Sequence, residues 1–167
     1  MDVYIDSFSE WLKGTPLAFV ATHYPWVWPV CQILHFFGLV LLISMVGLLD
    51  LRILGFGKGL SLRSISRTIP LGVAGFALNL LTGAIFVAGD PLHYLRNPAF
   101  QFKIGFIAVA GLNVLVFHAS GLSKTVESLA PDDDAPFGAK VVASLSMFLW
   151  VGVMYLGRML PFLGNSF

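Results

Sequence analysis

The sequence predicts an all-α integral membrane protein, a four-helix bundle preceded by short interfacial helix segments at the N-terminus. Three observations predict this fold class. The 167 residues are 57% hydrophobic and only 11% charged, whereas a soluble domain carries roughly 25% charged residues. The mean hydropathy is +0.83. Four apolar runs each approach the length of about 20 residues that a helix needs to cross a bilayer. Because such a chain cannot cover a water-facing surface, we expect the lipid bilayer to be its solvent.

The four apolar runs define a membrane domain of residues 25–167. They predict transmembrane helices at about 26–52, 66–90, 98–120 and 139–163.

Residues 1–24 predict a separate amphipathic segment on the outer membrane face. Its apolar residues recur at helical spacing: Tyr4, Phe8, Trp11 and Leu12. Ser7 and Glu10 suggest a capping box, and Thr15 with Pro16 predicts the start of a second short helix. The segment either tethers the N-terminus or forms a lid or a contact for a partner subunit.

The basic residues of the connections predict the orientation. The connection between spans one and two, with the span ends beside it, contains Arg52, Lys58, Arg63 and Arg67, and the one between spans three and four, with its adjoining span end, contains Lys124 and Lys140. Lys and Arg are enriched in cytoplasmic loops, whereas acidic residues count for little. We therefore expect these two connections in the cytoplasm, and both termini outside.

The ionisable residues within the spans gather in the outer half. Each costs roughly 2.5–3.5 kcal/mol on insertion scales, so each needs a physical reason. Counting along the helices puts His35, Lys103 and Arg158 in this half, with Asp90 and His93 at its edge. We therefore expect a polar pocket there. The simpler alternatives are snorkelling for the two cations, a buried hydrogen-bonded histidine and a helix-ending turn at Asp90.

Three helix faces are expected to point into the bundle, because small and weakly polar residues mark helix contacts. The residues of these faces are His35 and Gly38 in span one; Gly72, Gly75, Asn79, Thr82 and Phe86 in span two; and Ser144, Phe148, Val151, Tyr155 and Arg158 in span four. Asn79 and Asn113 are expected to form hydrogen bonds between helices. On the inner side, an Asp50–Arg52 or Asp50–His118 interaction would anchor the first and third spans.

Haem b is one cofactor that the outer pocket would suit. It needs axial ligands at one depth and cations near its propionates. His35 and His118 lie roughly 15–20 Å apart along the membrane normal and cannot share an iron. The candidate partners of His35 are His93 and Met154, and the candidate propionate cations are Lys103 and Arg158.

Copper is the second alternative, because imidazole, thioether and thiolate suit this metal. Such residues in or near the outer half are His23, Cys31, His35, His93, Met154 and Met159. Without any metal, Lys103 and Arg158 would bind an anionic headgroup, a quinone or a carboxylate.

Several function classes are disfavoured. The sequence contains no nucleotide-binding glycine pattern, metalloprotease histidine pair or paired intramembrane carboxylates, which favours a protein that is not an enzyme. The net charge of +1 gives no reason to expect nucleic acid, and the single Cys31 excludes an internal disulfide and a Cys-based zinc site. Two functions stay open. One is a protein that binds haem b or copper for electron transfer or metal handling. The other is a non-catalytic membrane subunit or small-ligand carrier without a metal.

Three segments also resemble a known family. They are LHFFGLVLLISMVGLLDLRILGFG (Leu34–Gly57), YLRNPAFQFKIGFIAVAGLNVLVFH (Tyr94–His118) and WVGVMYLGR (Trp150–Arg158). In this order they are similar to the first, third and last spans of short four-helix bacterial inner-membrane proteins that have no assigned activity. More remotely, the group is similar to half of the copper-resistance type membrane proteins.

The resemblance implies a bacterial inner membrane, so the outer face would be periplasmic. The positions that fit the family pattern are His35, Asp50, Arg52, Asn97, Lys103, Asn113, His118 and Arg158. His23 and His93 depart from it, which weakens the His35–His93 pairing. A bundle of this size also leaves much apolar surface, so we expect a homo-oligomer or a membrane complex partner.

Overall fold

A computed structural model describes residues 2–163, which form nine α-helices. Four are long and apolar enough to cross a membrane: α3 (Val27–Ile53), α5 (Ile69–Gly89), α7 (Pro98–Ala119) and α9 (Phe137–Leu163). The other five are shorter: α1 (Asp2–Lys13), α2 (Pro16–His23), α4 (Leu62–Ser66), α6 (Pro91–Leu95) and α8 (Leu122–Glu127). The predicted all-α membrane fold is confirmed; residues 164–167 of the predicted membrane domain lie outside the described residues.

The long helices form two antiparallel pairs. Helix α3 packs along α5, helix α7 packs along α9, and contacts between α3 and α9 join the pairs. We call the end of the bundle that carries α1, α2 and α6 the terminal side. The opposite end, with connections 54–68 and 120–136, is the loop side. A hydrophobic cluster joins the loop-side elements: Ile53, Leu62, Val126, Ala135, Ala139 and Ala143.

Glycines bring α3 and α5 into backbone contact. A Cβ atom on Gly75 would lie 2.5 Å from the carbonyl oxygen of Gly38, and one on Gly38 would lie 2.7 Å from that of Gly75. Small residues permit such close approach between membrane helices. The predicted inward face of span two is confirmed, because Gly72, Gly75 and Thr82 are buried and the other two members are half-buried.

The predicted inward face of span four is wrong. All five of its members are exposed: Ser144, Phe148, Val151, Tyr155 and Arg158. The buried face of α9 consists instead of Ala139, Ala143, Ser146, Leu149, Val153 and Leu160. The reason is steric: small side chains near the loop side let α9 approach its neighbours, whereas the bulky rings of the other face point away.

The N-terminal helices lie against the terminal side. Thr15 caps α2 as predicted, because its hydroxyl accepts a hydrogen bond from the Ala18 N–H at 3.3 Å. The capping box at Ser7 is wrong, since α1 already begins at Asp2 and Ser7 lies within it. Helix α1 packs against α6, and an Asp6–Arg96 ion pair of 2.6 Å links them. These contacts attach α1 to the terminal side.

The connection between α5 and α7 turns at Asp90, as the sequence predicts. Its carboxylate accepts a hydrogen bond of 3.4 Å from the His93 N–H and so caps α6. Burial, with a smaller effect from the negative charge of Asp90, raises the pKa of Tyr94 above its ordinary value.

Candidate functional site

Asp50 is a buried carboxyl group within a membrane-spanning helix. It lies one turn before the loop-side end of α3, and its residue is only 6% exposed. The Ser146 side chain on α9 lies near this carboxyl group. One of the two carboxyl oxygens, Oδ2, is buried and has no hydrogen-bond partner among residues 2–163. An unsatisfied buried polar atom is costly, more so when it is charged, so Asp50 is the strongest indication of a binding site in the bundle.

A cavity of about 150 Å³ lies beside Asp50. Its walls come from α3, α5, α7, α8 and α9 and from Ser66 of α4, so all four long helices contribute. Its polar lining residues are Asp50, Ser66, Asn113, His118, Ser123, Glu127 and Ser146. Two of these carry carboxyl groups, and within the described part of the chain no Lys or Arg lines this cavity. The lining therefore favours a positively charged or hydrogen-bond-donating ligand.

A second cavity, of about 50 Å³, lies between α3 and α9. It is lined by Ile43, Val46, Gly47, Asp50, Met147, Trp150, Val151 and Met154. It shares Val46 and Asp50 with the first cavity. Asp50 thus contributes to the linings of both cavities, of which the larger has more polar residues.

The Asp50–Arg52 pairing expected from the sequence is wrong. Arg52 is only 1% exposed, and its guanidinium binds backbone carbonyls of the two loop-side connections. Nε donates to Leu60 O at 2.9 Å, and Nη2 donates to the carbonyl oxygens of Pro131 and Asp133. The physical reason is helix geometry, since a residue two positions further along a helix faces about 200° away. Arg52 therefore ties the connections together beneath the cavities.

A cluster of charged residues on the surface reinforces this tie. The Asp134 carboxylate lies 3.0 Å from the Lys58 ammonium and 3.6 Å from that of Lys140. The hydrogen bond from Lys58, followed by the positive charges of Lys140 and Lys58, holds the pKa of Asp134 below its ordinary value.

The Asp50–His118 pairing is also wrong as a direct bond. The Nδ1 atom of His118 lies 2.9 Å from the Val114 carbonyl oxygen, so this ring nitrogen donates within its own helix. Both residues nevertheless line the larger cavity. Asn113 makes the interhelical bond predicted for it, donating to the Val142 carbonyl of α9 at 2.9 Å.

Asn79 does not make the predicted bond between helices. It donates to Gly75 O of its own helix at 2.9 Å. The reason is the close approach of α3 and α5, because the Asn79 amide packs directly against Gly38, which has no side chain.

His35 is held at the α3–α5 contact, towards the terminal side. Its Nδ1 lies 2.8 Å from Thr82 Oγ1, and that hydroxyl donates to the Leu78 carbonyl at 2.7 Å. Because the hydroxyl hydrogen is already used, Nδ1–H donates to Thr82 and the other ring nitrogen, Nε2, is left as an acceptor. The ring also packs at 5.6 Å from that of Phe86.

The two cations of the predicted outer pocket differ in their surroundings, because Lys103 is half-buried and Arg158 is exposed. Lys103 extends over α9, where its Nζ would be 3.4 Å from a Cβ atom on Gly157, and its charge acts on the His35 ring. Arg158 is exposed and lies 5.8 Å above the Phe162 ring of its own helix. The structure thus brings Lys103 towards His35 but leaves Arg158 on the outer surface of the bundle.

The two candidate partners of His35 lie elsewhere. His93 is exposed on α6, with its ring 5.4 Å from that of Tyr94. Met154 lines the smaller cavity with Ile43, which is eight positions, or about 12 Å, further along α3 than His35. Across residues 2–163, no three His, Cys, Asp or Glu side chains form a group that could hold a metal ion.

The sequence does not predict the contacts that Ser146 makes near Asp50 and that Thr82 makes with His35. Ser146 extends the buried small-residue spacing of Ala139 and Ala143 on α9, which is the signal that identifies its face. Thr82 was assigned to the correct face of α5, but its bond to His35 depends on helix register. No protein-family model, curated protein or solved structure matches this chain.

Proposed function

We propose that this protein is a membrane carrier for a small cationic ligand, with Asp50 as the binding group. The observation that carries the proposal is the buried Oδ2 atom of Asp50, which has no hydrogen-bond partner among the described residues. A cationic ligand would supply both a charge and a donor to this atom, and buried carboxylates within membrane spans are usually functional.

The surroundings of Asp50 support the same class of ligand. Glu127 adds a second carboxyl group to the larger cavity, and Ser66, Ser123 and Asn113 add neutral polar groups. Their oxygens can accept hydrogen bonds from an ammonium or replace part of the hydration shell of a metal cation. Asp50 lies near the loop side of the bundle, and the two connections on the loop side are rich in Lys and Arg, which would place that side in the cytoplasm. The family resemblance suggests a bacterial inner membrane.

The test measures Asp50-dependent binding and transport. Binding of Na⁺, K⁺ and methylammonium to the purified protein is followed by calorimetry, and uptake of the same ions is followed in liposomes. Asp50→Asn removes the charge but keeps the shape, and we expect at least a roughly 30-fold loss of affinity, as is common when one partner of a buried charge pair is neutralised.

Asp90→Asn is the matched control, because Asp90 caps α6 on the terminal side and lies outside both cavities. We expect it to bind and transport like the unmodified protein. Equal binding by the Asp50→Asn variant and the unmodified protein would refute the proposal. Binding without uptake would refute the carrier role and leave a binding subunit.

A second candidate function, the binding of haem b or copper near His35, is supported by one observation. The Nδ1–H···Thr82 hydrogen bond fixes the ring and leaves Nε2 as an acceptor. Histidines that ligate metals usually make such a second hydrogen bond. Lys103, whose charge acts on the same ring, would suit a haem propionate.

The spectrum and metal content of the purified protein test this second candidate. A Soret band, or stoichiometric copper, that is lost in His35→Ala but kept in the control His118→Ala would support it. A colourless protein without metal by elemental analysis would exclude it.

A further inference from the structure

The smaller cavity narrows the class of ligand that Asp50 would bind. Apart from Asp50 and the indole N–H of Trp150, its lining consists of aliphatic and thioether side chains and Gly47. Such a cavity does not hold water well, because a buried water needs two to four polar partners. A hydrated inorganic ion would therefore leave this space unused.

We propose that the ligand is an amphipathic organic amine whose ammonium group binds Asp50 and whose hydrocarbon part fills the cavity between α3 and α9. This inference rests on the proposed function, since it uses the same carboxylate. An ammonium has hydrogen-bond donors that match the unpartnered Oδ2 atom. Asp50 and Val46 line both cavities, so a small molecule whose charge binds Asp50 would have the apolar cavity next to it.

The lining residues suit such a ligand in two further respects. Trp150 offers an aromatic ring in the cavity that Asp50 also lines, and this ring packs against that of Phe76 at 6.0 Å. Trp is the aromatic residue that attracts organic cations best. Met147 and Met154 are flexible and polarisable, so they adapt to hydrocarbon groups of different shape.

Gly47 offers a direct way to fill the cavity. A Cβ atom on Gly47 would meet no other atom within 4 Å, although the residue lines the smaller cavity. Gly47→Leu therefore adds a side chain at a position that lines the proposed hydrocarbon site, without a steric clash at its Cβ. Gly111→Leu is the matched control, because a Cβ on Gly111 also meets nothing within 4 Å and the residue lines neither cavity.

The experiment measures binding of methyl-, ethyl-, propyl- and butylammonium to the full-length purified protein by calorimetry. We expect affinity to rise about fourfold for each added methylene that enters the cavity. We expect n-butanol, which lacks the charge, not to compete. Gly47→Leu should abolish the dependence on chain length, whereas Gly111→Leu should retain it.

The outcomes separate this inference from the proposed function. If all four amines bind equally, or if Gly47→Leu and Gly111→Leu respond alike, the apolar end does not occupy the cavity and the inference is overturned. If Na⁺ or K⁺ binds in an Asp50-dependent way and the amines do not, the inference fails and the proposed function stands. If no cation binds in an Asp50-dependent way, both fail. Because the glycine variants retain Asp50, the chain-length test remains valid even where Asp50→Asn does not fold.

Discussion

Replacing Gly75 by alanine tests how closely α3 and α5 must approach each other. The new Cβ atom would lie 2.5 Å from Gly38 O, 2.9 Å from Leu41 Cβ and 3.0 Å from Leu42 N. Two of these three atoms belong to the backbone and cannot rotate away. Since C···O contacts between packed helices are about 3.3 Å or longer, the helices must separate by about 0.8 Å.

That separation sets the size of the effect. A gap of this size forfeits a quarter to a half of the dispersion energy of the contacts that it opens, and overpacking a helix contact costs about 1–3 kcal/mol. Because all three contacts are tight, we expect a loss of about 3 kcal/mol in the free energy of unfolding, or about 6–12 °C in Tm. The His35–Thr82 bond of 2.8 Å should break as well.

Unfolding in mixed micelles, followed by circular dichroism, measures this loss. Two other glycine-to-alanine variants serve as references for the size of this stability loss. In Gly152→Ala the obstacle is the Phe106 ring, which can rotate, so we expect a smaller loss. In Gly111→Ala nothing lies within 4 Å, and the higher helix propensity of alanine should leave stability unchanged or raised by up to about 1 kcal/mol. Equal stability of the Gly75 and Gly111 variants would refute the close backbone contact.

Three further predictions concern the ends of the bundle. Arg52→Ala removes the hydrogen bonds to both loop-side connections, so we expect the free energy of unfolding to fall by about 3 kcal/mol and amide exchange to become faster at residues 54–68 and 128–134. Unchanged amide exchange would contradict the role of Arg52 in holding the two connections together. Asn97 is 2% exposed, accepts a hydrogen bond from the Ala99 N–H and donates one to Leu160 O, both at 2.9 Å. Asn97→Asp keeps the helix cap but loses the donor. We therefore expect the unfolding free energy of Asn97→Asp to lie between those of the unmodified protein and Asn97→Ala. The pKa of Asp134 is lowered in the folded protein, so its stabilising contribution is present above the unfolded pKa and is lost as the pH falls through the folded pKa. A carboxyl NMR titration should show a midpoint below the ordinary pKa of aspartate, and this midpoint should rise in Lys58→Gln. An unchanged midpoint in Lys58→Gln would contradict the ion pair.

The sequence was sufficient for the four long helices of this fold. Apolar runs determine which segments enter a bilayer, because an unsatisfied backbone group is costly there and a helix satisfies its own. Local capping chemistry is visible in part, because Thr15, Pro16 and Asp90 mark helix ends correctly whereas Ser7 lies within a helix. The glycine-containing face of α5 was also predictable, since small residues repeated at helical spacing.

The tertiary structure decided which polar residues meet. Arg158 was assigned to an inward face from its spacing, yet it lies on the exposed face of α9, because both faces of an apolar helix suit lipid equally well and periodicity separates them poorly. The expected pocket in the half that carries the termini was based on counting residues from helix ends. Both cavities described above instead border Asp50, near the opposite end.

Asp50 shows which features follow from the sequence and which follow only from the tertiary structure. The sequence by itself determined that a carboxyl group would enter the membrane near the end of the first span, and charge patterning suggested a structural role for it. Only the tertiary structure placed Ser146 near this carboxyl group, left Oδ2 without a partner among residues 2–163, and brought Asp50 into the linings of two cavities. These features depend on the register and rotation of α3 against α9, which long-range packing fixes and local sequence does not encode.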